Sequence, residues 1–446
     1  MPQKSVDNSY KSYEPKKTLG TLDAVALIVG IVIGAGVFKT PSLVALHTNS
    51  DIIFLLTWLL GGAVSLIGAL SYAELCAAYP HTGGDYHFLY RAYGRPLAFL
   101  FAWTRMVVIQ TGSIALLAFI FGDYATQFYA IGPYSQGIYA LAIVIILTFI
   151  NVLGLTFGAT AQKLFTLLEV GGILLIICVG LFFTPSSGTS SLPLQSNSSL
   201  SSSLGMAMVF VLLTFGGWNE AAYISAELKT GATGIAKALI WSILIITLVY
   251  VLVNYTYIHV LGHERMASSE AVAADLMRLV WGEQAAKLIG LLVAISALTS
   301  ANATIITGAR SNYALGQDFA SFKGLGQWNH RTSSPVRAML IQGLIAVVLV
   351  VLGLLTRKGF ETIVDYTAPV FWFFFLLIGI AVFVLRKKDP QTPRPFKVPF
   401  YPVLPALFCI SSLLLLYSSL VYTGIGALVG VLVVLLGFIV FVFLRR

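Results

Sequence analysis

Three glycines interrupt the apolar run Gly30-Ile31-Val32-Ile33-Gly34-Ala35-Gly36-Val37-Phe38, which otherwise reads as continuous helix, and Phe215-Gly216-Gly217-Trp218-Asn219 repeats the interruption further along the chain. Unwound helix releases backbone groups from their ladder. The N–H groups of Ala35 and Gly36, at the start of the next half-helix, can receive a carboxylate. Carbonyls around Ile33 and near Phe215 can receive an ammonium. Backbone alone can thereby hold both ends of a zwitterion without a dedicated charged pair. Open backbone is not tolerated against lipid and must line a cavity, and paired interruptions in two halves of a chain point to a substrate site. The expected site is Ile33, Gly34, Ala35, Gly36, Phe215, Gly216, Gly217 and Trp218. Blander readings stand beside it: Gly30 and Gly34 form a G-x-x-x-G, which also serves close helix packing, and Trp218 is as well explained by apolar packing as by a site. Phe215 adjoins the break and is expected to cover a bound substrate. A nucleotide loop is excluded, since no glycine completes G-x-G-x-x-G after Gly36, no G-x-x-x-x-G-K-[ST] occurs, and the flanks are not strands.

Few charged side chains fall inside apolar segments, and each is a candidate. Glu169 is a coupling candidate, because a carboxylate within the membrane is functional by default; an ion pair with Lys163 is its structural alternative. Lys39 lies about eight residues, or ~12 Å, from the outer end of its segment, and is placed on an outer vestibule facing water. Arg105 receives no role. Glu227 beside Lys229 reads as an interfacial salt bridge. Ser296, Thr299 and Ser300 can contact substrate or cation, or bond their own helix.

The elements that carry these residues are membrane helices. The 446 residues are 58% hydrophobic and 10% charged, against about 25% charged in soluble domains, and mean hydropathy is +0.88. About twelve spans are expected, at roughly 18–46, 51–78, 97–130, 138–157, 161–183, 204–226, 235–261, 284–318, 335–356, 359–386, 401–420 and 423–444. The fold class is all-α polytopic membrane protein. Residues 1–17 form a cytoplasmic tail, 18–386 a transport core of ten spans, and 387–446 two further spans. If spans one to five and six to ten are copies, each begins with a broken helix, and the odd number inverts one copy against the other. The net charge of +9 lies mostly in the segments this topology puts inside, which is the positive-inside pattern and not a nucleic-acid patch. Thr184 to Ser203 reads as an outer flexible loop, and Gly262 to Glu283 as short amphipathic helices outside. Cys76, Cys178 and Cys409 sit in apolar runs without metal spacing, so neither disulfide nor zinc is expected. No cleaved signal peptide is read.

The chain resembles the amino acid–polyamine–organocation superfamily and, within it, L-type-like and bacterial amino acid permeases. The match runs through Gly30 to Phe38 and Pro41, Tyr72-Ala73-Glu74-Leu75 with Tyr79-Pro80, and Gly83-Gly84-Asp85-Tyr86. It continues through Phe215 to Asn219, Ala226-Glu227-Leu228-Lys229, Asn302 to Arg310, and Arg394-Pro395-Phe396-Lys397-Val398-Pro399. The resemblance implies a five-plus-five inverted-repeat fold with discontinuous helices one and six, alternating access, and transport of amino acids without ATP. It also implies an aromatic gate at Phe215. Two positions depart from it: Glu169 stands where many relatives carry a lysine after Phe165-Thr166, and Lys39 where the residue is usually small or uncharged.

The expected function is therefore secondary transport of amino acids, neutral ones first, by exchange or proton symport, across what is expected to be the plasma membrane. Cationic amino acids or polyamines are the alternative; they want buried acids in the cavity, whereas Lys39 adds a positive charge. An enzyme is not expected, as the six histidines are scattered, and a channel lacks a visible filter. No cofactor, metal or nucleic acid is expected. The partners are the substrate and the lipid bilayer, and an accessory subunit is left open.

Overall fold

The computed structural model describes residues 19–81, 83–154, 159–182, 200–225, 228–229, 231–329, 331–332, 334–356, 358–422 and 425–444. The expected tail, residues 184–199 of the serine-rich stretch, and Glu227 lie outside them. With so few polar side chains and so much apolar sequence, helices are the form that satisfies every backbone group internally, and helices dominate. Nine are long and apolar enough to cross a membrane, a bent pair adds a tenth, and Thr21–Val32 and Leu167–Phe182 are shorter apolar helices among the described residues.

In chain order, α1 (Thr21–Val32) gives way to a 3₁₀ turn (Ala35–Phe38) and α2 (Thr40–Leu46); α3 (Asp51–Ala78) follows, then the short α4 (Gly84–Tyr93). Helix α5 (Arg95–Thr104) passes through a π turn (Arg105–Ile109) into α6 (Gln110–Thr126), and α7 (Ser135–Val152) and α8 (Ala159–Phe182) complete the first half. The second half opens with α9 (Leu200–Thr214), a 3₁₀ turn (Trp218–Glu220) and α10 (Ala221–Ile224), then α11 (Gly231–Leu261). Two short helices, α12 (His263–Ala267) and α13 (Val272–Trp281), occupy the stretch read as amphipathic. Next come α14 (Glu283–Asp318), α15 (Val336–Thr356), α16 (Gly359–Lys388), α17 (Val403–Tyr422) and α18 (Ile425–Leu444).

Both interruptions are present. At the first, Ile33 and Gly34 are extended, with φ −73°, ψ 92° and φ −132°, ψ −173°. At the second, the helix pair flanking Phe215-Gly216-Gly217 is bent by 41°. Gly217 takes φ +108°, and a Cβ there would meet the Ile31 side chain at 3.0 Å, so only glycine suits this bend.

Two segments of the family match also meet in space. Glu74, 2% exposed, accepts from Arg386 at 2.7 and 2.5 Å and from the Val398 N–H at 2.7 Å, and Arg394 lies 3.6 Å away. A carboxylate with this many charged and backbone donors is well compensated for its burial. It ties the end of α3 to the last turn of α16 and to the chain that follows it.

Candidate functional site

The two interruptions face each other and are laced together. Thr40 Oγ1 and Thr214 Oγ1 are 2.6 Å apart, and the Tyr250 hydroxyl, fully buried on α11, lies 2.8 Å from the Val32 carbonyl and 3.1 Å from the Thr214 carbonyl. These acceptors lost their helical donors where each helix stops, and Tyr250 supplies a replacement. Tyr124 does the same for the Phe38 carbonyl at 2.9 Å. The donors of the first break are treated differently. The N–H groups of Gly34, Ala35 and Gly36 make no hydrogen bond among the described residues, and no side chain caps the turn.

Those three residues line a cavity of about 420 Å³, with Gly216 and Gly217 on its wall. A Cβ on Gly34 would meet only the Val32 carbonyl at 3.9 Å, and on Gly36 the Thr214 methyl at 3.6 Å. The space above them is open because the cavity occupies it. The volume is within the range of small-molecule sites. Opposite the breaks, Gln110 Nε2 on α6 donates to the Thr304 carbonyl at 3.3 Å and the Thr307 hydroxyl at 3.2 Å on α14, forming a polar shelf, and Phe371, Trp372 and Phe375 of α16 form an aromatic wall.

Several expected residues stand back from this cavity. Ile33 is 2% exposed and belongs to the packed core. Phe215, fully buried, sits 4.9 Å from Tyr250 and 6.5 Å from Trp58 between ring centroids, so in this conformation its ring faces α3 instead of covering the cavity. Trp218 packs on Tyr72 at 5.0 Å and stacks on Phe375 at 5.8 Å, and Gly68 leaves it room, since a Cβ there would approach its ring to 3.0 Å. Glu169 is buried where α8 meets α14 and accepts from the Ser296 hydroxyl. Ser300 is on the cavity wall.

The vestibule placement of Lys39 is corrected. The side chain is 8% exposed, and its ammonium lies 2.8 Å from Asp123 Oδ2, an ion pair by proximity instead of an aligned hydrogen bond. Asp123 also accepts from Gln136. Burial of an ammonium is costly unless paired, and α6 supplies the partner.

A second charge cluster, absent from the expectations as a site, lines the cavity. Arg105 in the π turn donates to Glu220 at 3.2 and 3.4 Å and to the Tyr223 hydroxyl at 3.0 Å, and its guanidinium lies 4.8 Å over the Tyr223 ring. Asp85 sits beneath, 3% exposed. Gly84 allows this approach: it takes φ +46°, and a Cβ would meet the Tyr223 ring at 2.9 Å. Asp85, Arg105 and Glu220 are the charged residues on the cavity wall among the described residues. In the sequence Asp85 stands only as one letter of the Gly83-Gly84-Asp85-Tyr86 motif and Glu220 carries no signal of its own; the cluster brings Glu220 to Arg105 across 115 positions of chain, which spacing does not reveal.

Comparison with known proteins bears on this arrangement. Residues 19–444 match the amino acid permease family. The chain is 28% identical over 430 residues to the human (Homo sapiens) b(0,+)-type amino acid transporter 1, covering 93% of this chain and 86% of that protein. It is 26% identical over 435 residues to the serine/threonine exchanger SteT of Bacillus subtilis strain 168, covering 97% of each. With the large neutral amino acids transporter small subunit 2 of Mus musculus it shares 28% identity over 441 residues, 95% of this chain and 81% of that protein.

Proposed function

The chain belongs to the amino acid permease family, and on that premise we propose that it carries neutral amino acids across the membrane by alternating access, in exchange or together with a proton. It is a multi-pass membrane transporter and not an enzyme. One observation carries the finer reading: the unbonded N–H groups of Gly34, Ala35 and Gly36 on the cavity wall, opposite Gly216 and Gly217. Backbone donors at the start of a helical turn suit an α-carboxylate, and the carbonyl side of the breaks suits an α-ammonium. The rest of the cavity is left for the side chain.

The two breaks, each at the first helix of its half, support the five-plus-five inverted repeat, with residues 18–386 as core and 387–446 as an appendage. The basic residues support cytoplasmic termini, and a plasma membrane is the location proposed with them. Glu169, held by Ser296, is the coupling candidate. A second reading, cationic amino acids, is favoured by a specific feature: the cavity wall carries two acids, Asp85 and Glu220, against one base, Arg105, and Lys39 is not on it.

Uptake of a labelled amino-acid panel into proteoliposomes, with and without internal substrate and an inward proton gradient, tests these readings. Neutral amino acids accumulating ahead of lysine and ornithine support the first; the reverse order selects the second; no uptake of any amino acid overturns both. Gly36→Val should reduce substrate binding at least tenfold while membrane insertion persists, because the side chain enters the carboxylate's space. Unchanged affinity would remove the backbone site. Glu169→Gln should keep homoexchange and lose acceleration by the proton gradient, and a retained pH response would make Glu169 structural.

A further inference from the structure

We infer that Asp85 is a proton-binding site at the α4 end of the cavity, and that its ionisation draws Arg105 away from Glu220. The use of this site in transport rests on the permease reading; the proton binding itself does not.

The geometry leaves the Asp85 carboxylate poorly supported as an anion. Its Oδ1 is buried with no well-formed hydrogen bond, its Oδ2 has a long contact, 3.4 Å, from the Asn219 amide, and the Tyr72 hydroxyl of α3 adds a weak stabilising contact. The first turn of α4 favours negative charge there, but a helix terminus and these weak contacts offset only part of the cost of burying a charge. A proton removes that cost. Burial first, and the Glu220 carboxylate second, push the Asp85 carboxyl up to about 7.

Arg105 is the group that can respond. A guanidinium has five N–H donors; this one uses Nη1 on Tyr223 and Nη2 on Glu220, and its Nε has no partner. It acts on Asp85 through space, without a hydrogen bond. With Asp85 protonated, the cluster is neutral and Arg105 serves Glu220 on the turn that follows the second break. When Asp85 loses its proton to water, two carboxylates compete for one guanidinium, and one of them lies on that turn. The proton is the only species exchanged, and no covalent bond other than O–H changes.

The groups around Asp85 come from several elements. Tyr72 and Cys76 come from α3, Tyr223 from α10, and Glu220 and Asn219 from the 3₁₀ turn. On its own segment, His87 stacks on His81 at 4.1 Å, and burial lowers both, His87 to about 4. Of the bases nearby on α5 and α16, Arg95 lies over the Phe319 ring and Arg386 is engaged by Glu74.

Infrared titration of the full-length protein in lipid, in a Glu169→Gln background and without substrate, reads the protonated carboxyl directly through its C=O band. The expected band, taken as the difference between this protein and its Asp85→Asn variant so that the other buried carboxyls cancel, has its midpoint near pH 7. Arg105→Gln should raise the midpoint and Glu220→Gln should lower it, each by about one unit, since the first removes an opposite charge and the second a like one. If Asp85→Asn does not fold, these opposed shifts decide alone. No loss of C=O intensity in Asp85→Asn, or a midpoint that ignores both neighbours, overturns the inference. Because no substrate is present, failure here is separate from failure to transport an amino acid.

Discussion

The two buried charge clusters differ in composition and in what surrounds them. Lys39 and Asp123 form a one-to-one pair, 8% and 3% exposed, set back from the cavity and supported by Gln136. Arg105, Glu220 and Asp85 form a one-to-two cluster on the cavity wall, with the Glu220 side chain 34% exposed and one Asp85 oxygen without a well-formed hydrogen bond. Balanced and sealed charge is what a fixed joint between α2 and α6 requires. Charge that is unbalanced and partly open can change partner or protonation state at small cost. The first cluster reads as architecture and the second as machinery.

The largest effect should come from breaking the sealed pair. Asp123→Ala leaves an ammonium buried without a counter-charge and should cost about 3–5 kcal/mol, seen as a large fall in the thermal unfolding midpoint in detergent. The double change Lys39→Met with Asp123→Leu should recover most of it, since neither charge then remains. A mild loss in Asp123→Ala would mean that Lys39 reaches water and the pair is not sealed.

A smaller, pH-dependent effect should appear at Asp85. Its carboxyl is raised in the fold to about 7, so its contribution is full under acid conditions and is lost as pH rises through about 7. Wild type should lose about 1 kcal/mol between pH 6 and 7 from this group, and Asp85→Asn should flatten that slope. Parallel melting curves for the two proteins across this range would count against the contrast. The smallest stability effect belongs to Glu220→Gln, because the Glu220 side chain is partly exposed and the amide oxygen still accepts from Arg105; its measurable consequence should be a several-fold fall in the lysine-to-alanine uptake ratio.

Glycine made the breaks legible in the sequence, because its effect on a helix is local and needs no knowledge of neighbours. Gly34, Ala35, Gly36, Gly216 and Gly217 all fall on the cavity wall. The spans were legible for the same reason, hydropathy being a property of each segment alone: the expected 284–318 and 359–386 correspond to Glu283–Asp318 and Gly359–Lys388. Side-chain orientation was not. Phe215 and Trp218 adjoin a break, yet the Gly61 and Gly68 surfaces of α3 receive their rings, a fact set by another helix. The partner of Lys39 was likewise hidden, since Asp123 is brought to it by α6 packing alongside the first break. Tyr250 was overlooked because a tyrosine in an apolar span looks like any large packing residue until its hydroxyl is placed between two carbonyls.

That hydroxyl has a mechanical consequence. Tyr250 touches the last carbonyl of α1 and the last carbonyl of α9 at once, and the Thr40–Thr214 contact adds a second stitch between the same two hinges. If one hinge swings while the other stays, a buried polar group is stranded, at about 1–3 kcal/mol, which thins the half-swung population by roughly five- to 150-fold. Under the proposed alternating access, the two hinges would then share one degree of freedom, like a pair of doors on a common rod, and the scarcity of half-open forms would suppress intermediate leaks.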